Sequence, residues 1–535
     1  MITLSTCKGI YASDEPITLS LDCGTIAVSA ANVTITRLDR VIARLCVPVE
    51  GELVRIDLPA MDADDACYGI EAQLLYKGHE VGRAATAVNI GGDVVRYGFL
   101  SDFQPEGNED IECMAKYHID HVQFYDWSYR HDTLVSPTQV YFDMMGKCNH
   151  ISVIQQKIKA CHERGMLAMA YGAVYAASCE FWQTHKSWGL YTSDDQPMRF
   201  IGVFYYMDIE SPWREHLFRQ YLDAIRRVGF DGIHMDTYGE PKRALSAQGE
   251  PRELKTALPR LIGDTDAFLR KEGEKAHLIF NNVGGWPVEL TRNEPQEAIY
   301  IELWPPLDRL NHIRQAISLA QPAGKPIVLA AYPAPFRTES SERALYAELI
   351  LSFSIALCGA TQLFLGEKDA VLTQGYYADY VGLNDWQAAM IKSYQDFFVR
   401  FQELLFDRTL HDVSLTHSGG ENKEYACDSP FSTEAEPGKL WLSFRENGDR
   451  KLIGLINLVA ETDDHWNQGK EKPVLQENIV LHVLMLHSVE NAWFASPDEH
   501  FGAAQRLPCK CAQTGSGIDV AICIPRLDCC GILWL

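Results

Sequence analysis

Two short segments of the chain place a carboxylate where a β-strand would end. Gly229-Phe-Asp-Gly-Ile-His-Met-Asp-Thr-Tyr-Gly239 offers a turn, a short apolar run and then Asp236. Ile299-Tyr-Ile-Glu-Leu-Trp-Pro305 offers Glu302 in the same position. Successive side chains of a strand point to opposite faces. Ile233 and Met235 therefore share one face and leave His234 and Asp236 on the other. Ile299, Ile301 and Leu303 likewise leave Tyr300, Glu302 and Trp304. Two carboxyls meeting in one cavity, one ionised to attack and one protonated to donate, are what cleavage of a glycosidic bond requires. An Asp on its short tether suits a fixed nucleophile. A Glu flanked by Tyr300 and Trp304 has its ionised form disfavoured by desolvation, as an acid needs. The competing reading pairs each carboxylate with a buried Arg or Lys.

A second cluster points the same way. His121-Val-Gln-Phe-Tyr-Asp-Trp-Ser-Tyr-Arg-His131 packs four aromatic residues, Trp127 among them, with Asp126, Arg130 and His131. Sugar rings lay their C–H faces on aromatics and bond their hydroxyls to polar side chains. An aromatic cluster alone is usually core; three ionisable residues inside it favour binding.

These residues need a scaffold that gathers strand ends. Residues 1–92 alternate polar and apolar types in runs such as Ile17-Thr-Leu-Ser-Leu21 and Val33-Thr-Ile-Thr36, the pattern of an immunoglobulin-like β-sandwich. Gly91-Gly92 marks the boundary. Over residues 93–409, short apolar runs alternate with amphipathic stretches. Eight candidate strands lie near Tyr97–Phe103, His121–Trp127, Leu167–Tyr175, Gly232–Thr237, Leu278–Val283, Ala298–Trp304, Ile327–Tyr332 and Thr361–Leu365. This predicts an α/β chain with a (β/α)8 TIM barrel. A doubly wound sheet would need a glycine-rich turn after its first strand, and Asp102-Phe-Gln-Pro-Glu106 has none. The aromatic-rich segment from Cys179 to Pro212 is too long for a plain connection and predicts a wall beside the site. Residues 410–535 return to short strands and predict a second β-sandwich.

Composition narrows the partners. Lys and Arg number 48 against 72 Asp and Glu, a net charge of −24 in 535 residues. Such a surface repels polyphosphates, so nucleic acid is not expected as a partner. No stretch reaches the ~20 apolar residues that span a bilayer, so no membrane partner is expected either. The start, MITLSTCKGIYASDEP, lacks the three regions of a secretory leader. A cytoplasmic location is expected, or a secreted one if a leader has been removed. The fifteen cysteines are irregularly spaced, and neither Cys509-Lys-Cys511 nor Cys529-Cys530 has a nearby His or C-x-x-C pair to complete a zinc set. His118, His121 and His131 share one segment, and no partner His follows on strands five to eight. No metal and no cofactor are expected. Oligomeric state leaves no mark in the sequence.

The same residues bring a family into view. The chain resembles glycoside hydrolase family 66, the dextranases and cycloisomaltooligosaccharide glucanotransferases. Gln123-Phe-Tyr-Asp-Trp127 with Arg130-His131 is similar to the family's strand-two signature, and Met169-Ala-Tyr171 to its strand-three segment. Gly229-Phe-Asp-Gly232 with Asp236 and Gly239 resembles the nucleophile strand, Phe280-Asn281 strand five, and Glu302-Leu-Trp-Pro305 the acid/base motif. Gly366 through Tyr377 and the Tyr394–Leu405 helix resemble the barrel's ending, and Asn457-Leu458 and Trp466 positions of the C-terminal β domain. The resemblance implies double displacement on α-1,6-linked glucan, dextran or isomaltooligosaccharides, with Asp236 as nucleophile and Glu302 as acid/base. It implies sugar contacts from Asp126, His131 and the surroundings of Asn281. Tyr171, His234, Tyr300 and Trp304 complete the expected substrate-binding set with Trp127 and Arg130. Ile233, His234, Met235 and Phe364 depart from the family pattern at the pocket wall. About 27 residues separate Tyr332 from Gly359, room for one helix and not for the sugar-binding module of the cyclising transferases. Hydrolysis is therefore expected; a transglycosylase on the same fold and a non-catalytic carbohydrate-binding barrel are the alternatives.

Overall fold

Eight short strands pair side by side, all parallel and in chain order. They are β1 (Tyr97–Leu100), β2 (His121–Phe124), β3 (Leu167–Ala173), β4 (Gly232–Asp236), β5 (His277–Val283), β6 (Ala298–Glu302), β7 (Ile327–Ala330) and β8 (Thr361–Leu363). The structure is a computed structural model and describes residues 2–61, 66–105, 107–374, 379–448 and 450–535. The sheet nearly closes on itself. The Phe99 N–H donates to the Leu365 carbonyl at 3.1 Å, and the Thr361 hydroxyl donates to the Val95 carbonyl at 2.5 Å. Part of the Gly366–Tyr377 segment, residues 375–377, lies outside the described residues, as does Glu106.

A helix follows each strand, as parallel connections require. The helix Ile151–Glu163 shows how the sequence specifies one: Ile151, Ile154, Ile158 and Cys161 recur every three or four residues and bury a single face. The helix Ser341–Leu357 is instead buried almost all round, and Ser340 caps it by accepting the Arg343 N–H at 3.4 Å. Alternation divides the strands as expected. Ile233, Met235, Ile299 and Ile301 join the helix-facing core, while Tyr97, Met169, Ile279, Tyr300 and Val328 form a separate cluster in the lumen. Every strand but β5 ends earlier than its sequence suggests, most of all β1, which stops at Leu100, not Phe103, and β2, which stops at Phe124, not Trp127. β5 begins one residue earlier, at His277, so strand five does carry a histidine.

The turn into β4 is built for close packing. Gly229, at φ 104°, ends the preceding helix in the left-handed region where a side chain is strained. Phe230 is buried against Phe124 and Trp127, with ring centroids at 5.2 and 4.7 Å. Burial of such a ring contributes roughly 1.5–3 kcal/mol. Asp231 accepts the Ala168 N–H at 2.7 Å and bonds His162 at 2.8 Å, pinning β3 beside β4. A Cβ on Gly232 would stand 2.0 Å from the His277 carbonyl oxygen, so the approach of β4 to β5 requires glycine.

The amino-terminal end of the barrel holds a charged cluster. Asp120 accepts the Arg96 N–H at 2.9 Å and bonds His121 Nδ1 at 2.5 Å. The other ring nitrogen of His121 lies 3.9 Å from Glu297, whose second oxygen pairs with His277. Burial alone would lower the His121 pKa, but Asp120 and Glu297 outweigh it and push it up to about 9. Burial likewise opposes ionisation of Glu297, yet His121 and His277 hold its carboxyl well below the usual range.

β-rich sheets flank the barrel. Before it, a three-stranded sheet (Thr3–Thr6, Ile17–Asp22, Leu53–Leu58) and a four-stranded sheet (Ala30–Arg37, Arg40–Pro48, Ala66–Tyr76, His79–Ile90) enclose one apolar cluster. After it, ten strands pair in a sheet whose distant members Leu442, Leu455, Leu481 and Ile522 share one core. Arg400 ties the barrel to the first unit through Thr36 (2.9 Å) and Glu71 (2.8 Å). Arg445 ties it to the last by donating to the Leu405 carbonyl at 2.7 Å. Among the described residues no helix is long and apolar enough to cross a membrane.

Candidate active site

At the carboxyl ends of the strands lies a cleft of roughly 750 Å³, part of it open to solvent. Asp236, last residue of β4, and Glu302, last of β6, meet across Asn281 of β5. The single Asn281 amide nitrogen donates to Asp236 Oδ1 at 2.8 Å and to Glu302 Oε2 at 3.0 Å. The two oxygens it bridges are therefore at most 5.8 Å apart, the sum of those distances. Each carboxylate has one further partner. The Tyr171 hydroxyl donates to Asp236 Oδ2 at 2.7 Å, and the Tyr332 hydroxyl to Glu302 Oε1 at 2.7 Å. All three donors are neutral. The alternative of a carboxylate paired with Arg or Lys does not describe this site: no such pair involving Asp236 or Glu302 occurs among the described residues.

Asp236, not Glu302, is the deeper carboxyl of the two. Asp236 is 8% exposed, whereas Glu302 stands nearer the rim and is half-buried. Burial, and then the charge of Glu302, push the Asp236 pKa up to about 7, against the opposing bonds from Asn281 and Tyr171.

Around the pair, the lumen is lined by rings. His234 lies beneath, 1% exposed, its Nδ1 3.0 Å from the Tyr97 hydroxyl and its ring edge-on to Tyr300 at 4.9 Å. Burial lowers its pKa to about 3, so it is a neutral hydrogen-bonding group. Asp126 lines the cleft from beyond β2 at φ 48°; burial and the neighbouring Asp143 push its carboxyl up to about 7. His131 also lines it, packed on Phe204 at 4.9 Å, with burial lowering its pKa to about 4 and its Nδ1 unbonded. The side-chain oxygen Oδ1 of Asn281 is buried without a partner as well.

Of the expected residues, Asp126, His131, Tyr171, His234, Asp236, Asn281, Tyr300 and Glu302 come together in the cleft. Three do not line it. Trp127 is fully buried behind the strands, donating to the Tyr171 carbonyl at 3.1 Å. The strand ends at Phe124 and the left-handed turn at Asp126 breaks the alternation, so Trp127 turns into the core. Arg130 stacks on Tyr129 at 4.1 Å and donates to the Tyr129 and Phe142 carbonyls, holding a loop together. Trp304 sits at the rim against Tyr332, with 5.6 Å between rings.

Other lining residues carry weaker sequence signals. Tyr332 follows Val328 and Ala330 at the spacing of the inward face of β7, so alternation alone could have found it. Met145, Phe200, Ile201 and Phe204 arrive from long connections, where no periodicity marks them. The last three belong to the segment expected to form a wall. Among the described residues no group of three His, Cys, Asp or Glu side chains is arranged to hold a metal ion. All fifteen cysteines are free thiols.

Comparison with known proteins agrees with the family resemblance of the sequence. Two cycloisomaltooligosaccharide glucanotransferases of Niallia circulans are similar to this chain. One is 28% identical over 285 residues, covering 47% of this chain and 29% of its own length. The other is 21% identical over 609 aligned residues, covering 84% of this chain and 63% of its own length. The chain thus spans less than two thirds of either relative. The crystal structure of a Paenibacillus sp. cycloisomaltooligosaccharide glucanotransferase complexed with cycloisomaltoheptaose matches it at a TM-score of 0.89 and 20% identity, over 100% of both chains. That likeness is one of fold. The profile of glycosyl hydrolase family 66 matches residues 6–531, nearly the whole sequence, and the chain belongs to that family of carbohydrate-active enzymes.

Proposed function

We propose that this protein is a retaining glycoside hydrolase that cleaves α-1,6-glucosidic linkages of dextran or isomaltooligosaccharides by double displacement. Its scaffold is read as a (β/α)8 TIM barrel, residues 93–409, between β-sandwich domains at 1–92 and 410–535. The observation that carries the reading is the Asn281 amide shared by Asp236 and Glu302. It keeps their facing oxygens at most 5.8 Å apart, which favours the ~5–5.5 Å carboxyl spacing of a retaining pair over the ~6.5–9.5 Å that admits water in an inverting one.

Depth supports the division of roles. Asp236 is deep and held from two sides, where a sugar's anomeric carbon would rest above it. Glu302 stands nearer the rim, within reach of an oxygen leaving toward solvent. In the first step Asp236 attacks the anomeric carbon, the glycosidic C–O bond breaks, and Glu302 gives its proton to the departing oxygen. In the second, Glu302 takes a proton from water, whose oxygen displaces Asp236. The proton drawn from water replaces the one given to the leaving group and returns Glu302 to its acid form.

A second reading replaces water by a sugar hydroxyl. It is favoured by the names of the two Niallia circulans relatives, both glucanotransferases. One experiment addresses both. The enzyme is given an isomaltooligosaccharide series, with products separated by chromatography and the first anomer read by NMR. Linear short products with the α-anomer appearing first are expected. The β-anomer first would overturn retention, cyclic or lengthened products would favour transfer, and no product from any α-glucan would overturn the assignment.

A further inference from the structure

The walls of the cleft are unequal. A hairpin, Arg199–Phe200 with Phe204–Tyr206, pairs directly with Ala176–Ala177 just past β3. Phe200 of that hairpin stacks on Tyr238, beyond β4, at 4.1 Å and 14°. Phe204 packs on His131, beyond β2, at 4.9 Å. A second hairpin, Val140–Phe142 with Cys148–His150, brings Met145 to the same side, and Asn149 anchors it by donating to the Asp126 carbonyl at 2.9 Å. Rings from three loops thus meet over β2, β3 and β4. Beside Glu302 the chain instead leaves through half-buried Trp304 and exposed Pro305 and Pro306.

We propose that the Arg199–Tyr206 hairpin, sealed against Tyr238 and His131, makes the site a blind pocket for the non-reducing end of an α-glucan, so that the enzyme acts on chain ends and not on internal linkages. The inference rests on the catalytic reading above. A leaving group must depart by an open path, and its oxygen must lie beside the acid. Both conditions place the leaving chain on the Glu302 side. The ring that Asp236 attacks then points its far hydroxyls at the aromatic wall, where Asp126 and His131 supply polar atoms and Phe200, Ile201 and Phe204 stand across the path of a longer chain. An internal segment, or a closed ring of sugars, would have to pass through Phe200 and Phe204.

Digestion of isomaltoheptaose and dextran tests this. One short product of constant length is expected from the earliest times, and dextran viscosity should hold while reducing sugar accumulates. Replacing residues 200–204 by an Asn-Gly turn, or Phe204→Ala alone, should introduce internal cuts and raise viscosity loss per bond broken by about tenfold. Mixed intermediate lengths from the start would overturn the proposal. Binding to the Asp236→Asn variant separates the two readings. Linear isomaltoheptaose should bind about tenfold or more tighter than cycloisomaltoheptaose. Equal affinity would remove the end-binding assignment alone; binding of neither sugar would remove the α-glucan reading and this inference with it.

Discussion

At the amino-terminal end of the barrel Asp120 and Glu297 face His121 and His277, whereas at the carboxyl-terminal end Asp236 and Glu302 face each other through neutral Asn281, Tyr171 and Tyr332. The same strands supply both ends: β5 starts with His277 and places Asn281 four residues on. Pairing lowers the cost of burying charge at the floor. At the mouth that cost is left standing, and it appears as a carboxyl whose pKa has climbed to about 7. Groups held in this way are poised to exchange protons, and sites of chemistry collect them. The floor pairs its buried charges; in the proposed function the mouth gives up that pairing for reactivity.

The largest test of that contrast is to neutralise each end. Asp236→Asn and Glu302→Gln should each lower turnover by about a thousandfold or more, with melting temperature unchanged or raised. Asn281→Ala, which removes the shared donor without touching a carboxylate, should lower kcat by about a hundredfold. At the floor, Asp120→Asn leaves His121 without its nearest anion and should cost about 3 kcal/mol in urea unfolding while kcat stays near that of the parent enzyme. A loss of turnover there as large as at the mouth would erase the distinction.

The pH dependence of stability should separate the two ends more finely. The native Asp236 keeps a proton that the unfolded chain releases at ~3.9, so stability should fall as pH rises from ~4 to about 7. The paired His121, raised to about 9 from ~6.5, contributes fully below its unfolded value and loses that contribution as pH rises through 9. Unfolding midpoints across pH should show both windows. Asp236→Asn should flatten the first and Asp120→Asn the second. The smallest effect is expected from Tyr332→Phe, which takes one hydrogen bond from Glu302 and should slow kcat by about tenfold with little change in KM.

Much of this was legible because strands impose a period of two. Ile233 and Met235 against Asp236, and Ile299 and Ile301 against Glu302, fix which way the carboxylates point. The period fails where the strand stops. Trp127 follows Phe124 by three residues, past a left-handed turn, and counting faces across that turn puts it on the wrong side. His277 escapes notice at the other limit, because the charged start of a strand lacks the apolar run that announces it. Which carboxylate is deeper was also hidden: Tyr300 and Trp304 beside Glu302 suggested burial, but Trp304 lies at the rim. Phe200 and Phe204 could not be read locally, since their contacts are with Tyr238 and His131, far along the chain.

The four residues Gly229 to Gly232 are of a different kind. They act mechanically, as a left-handed stop, a ring under Trp127, a clasp on β3 and a bare backbone against His277. None touches the cleft. A descendant could keep all four, exchange Asp236 and Glu302, and inherit the same barrel with nothing left to cut. Shape and reaction are written in separate letters within one eight-residue stretch, and lineages are free to lose them at different times.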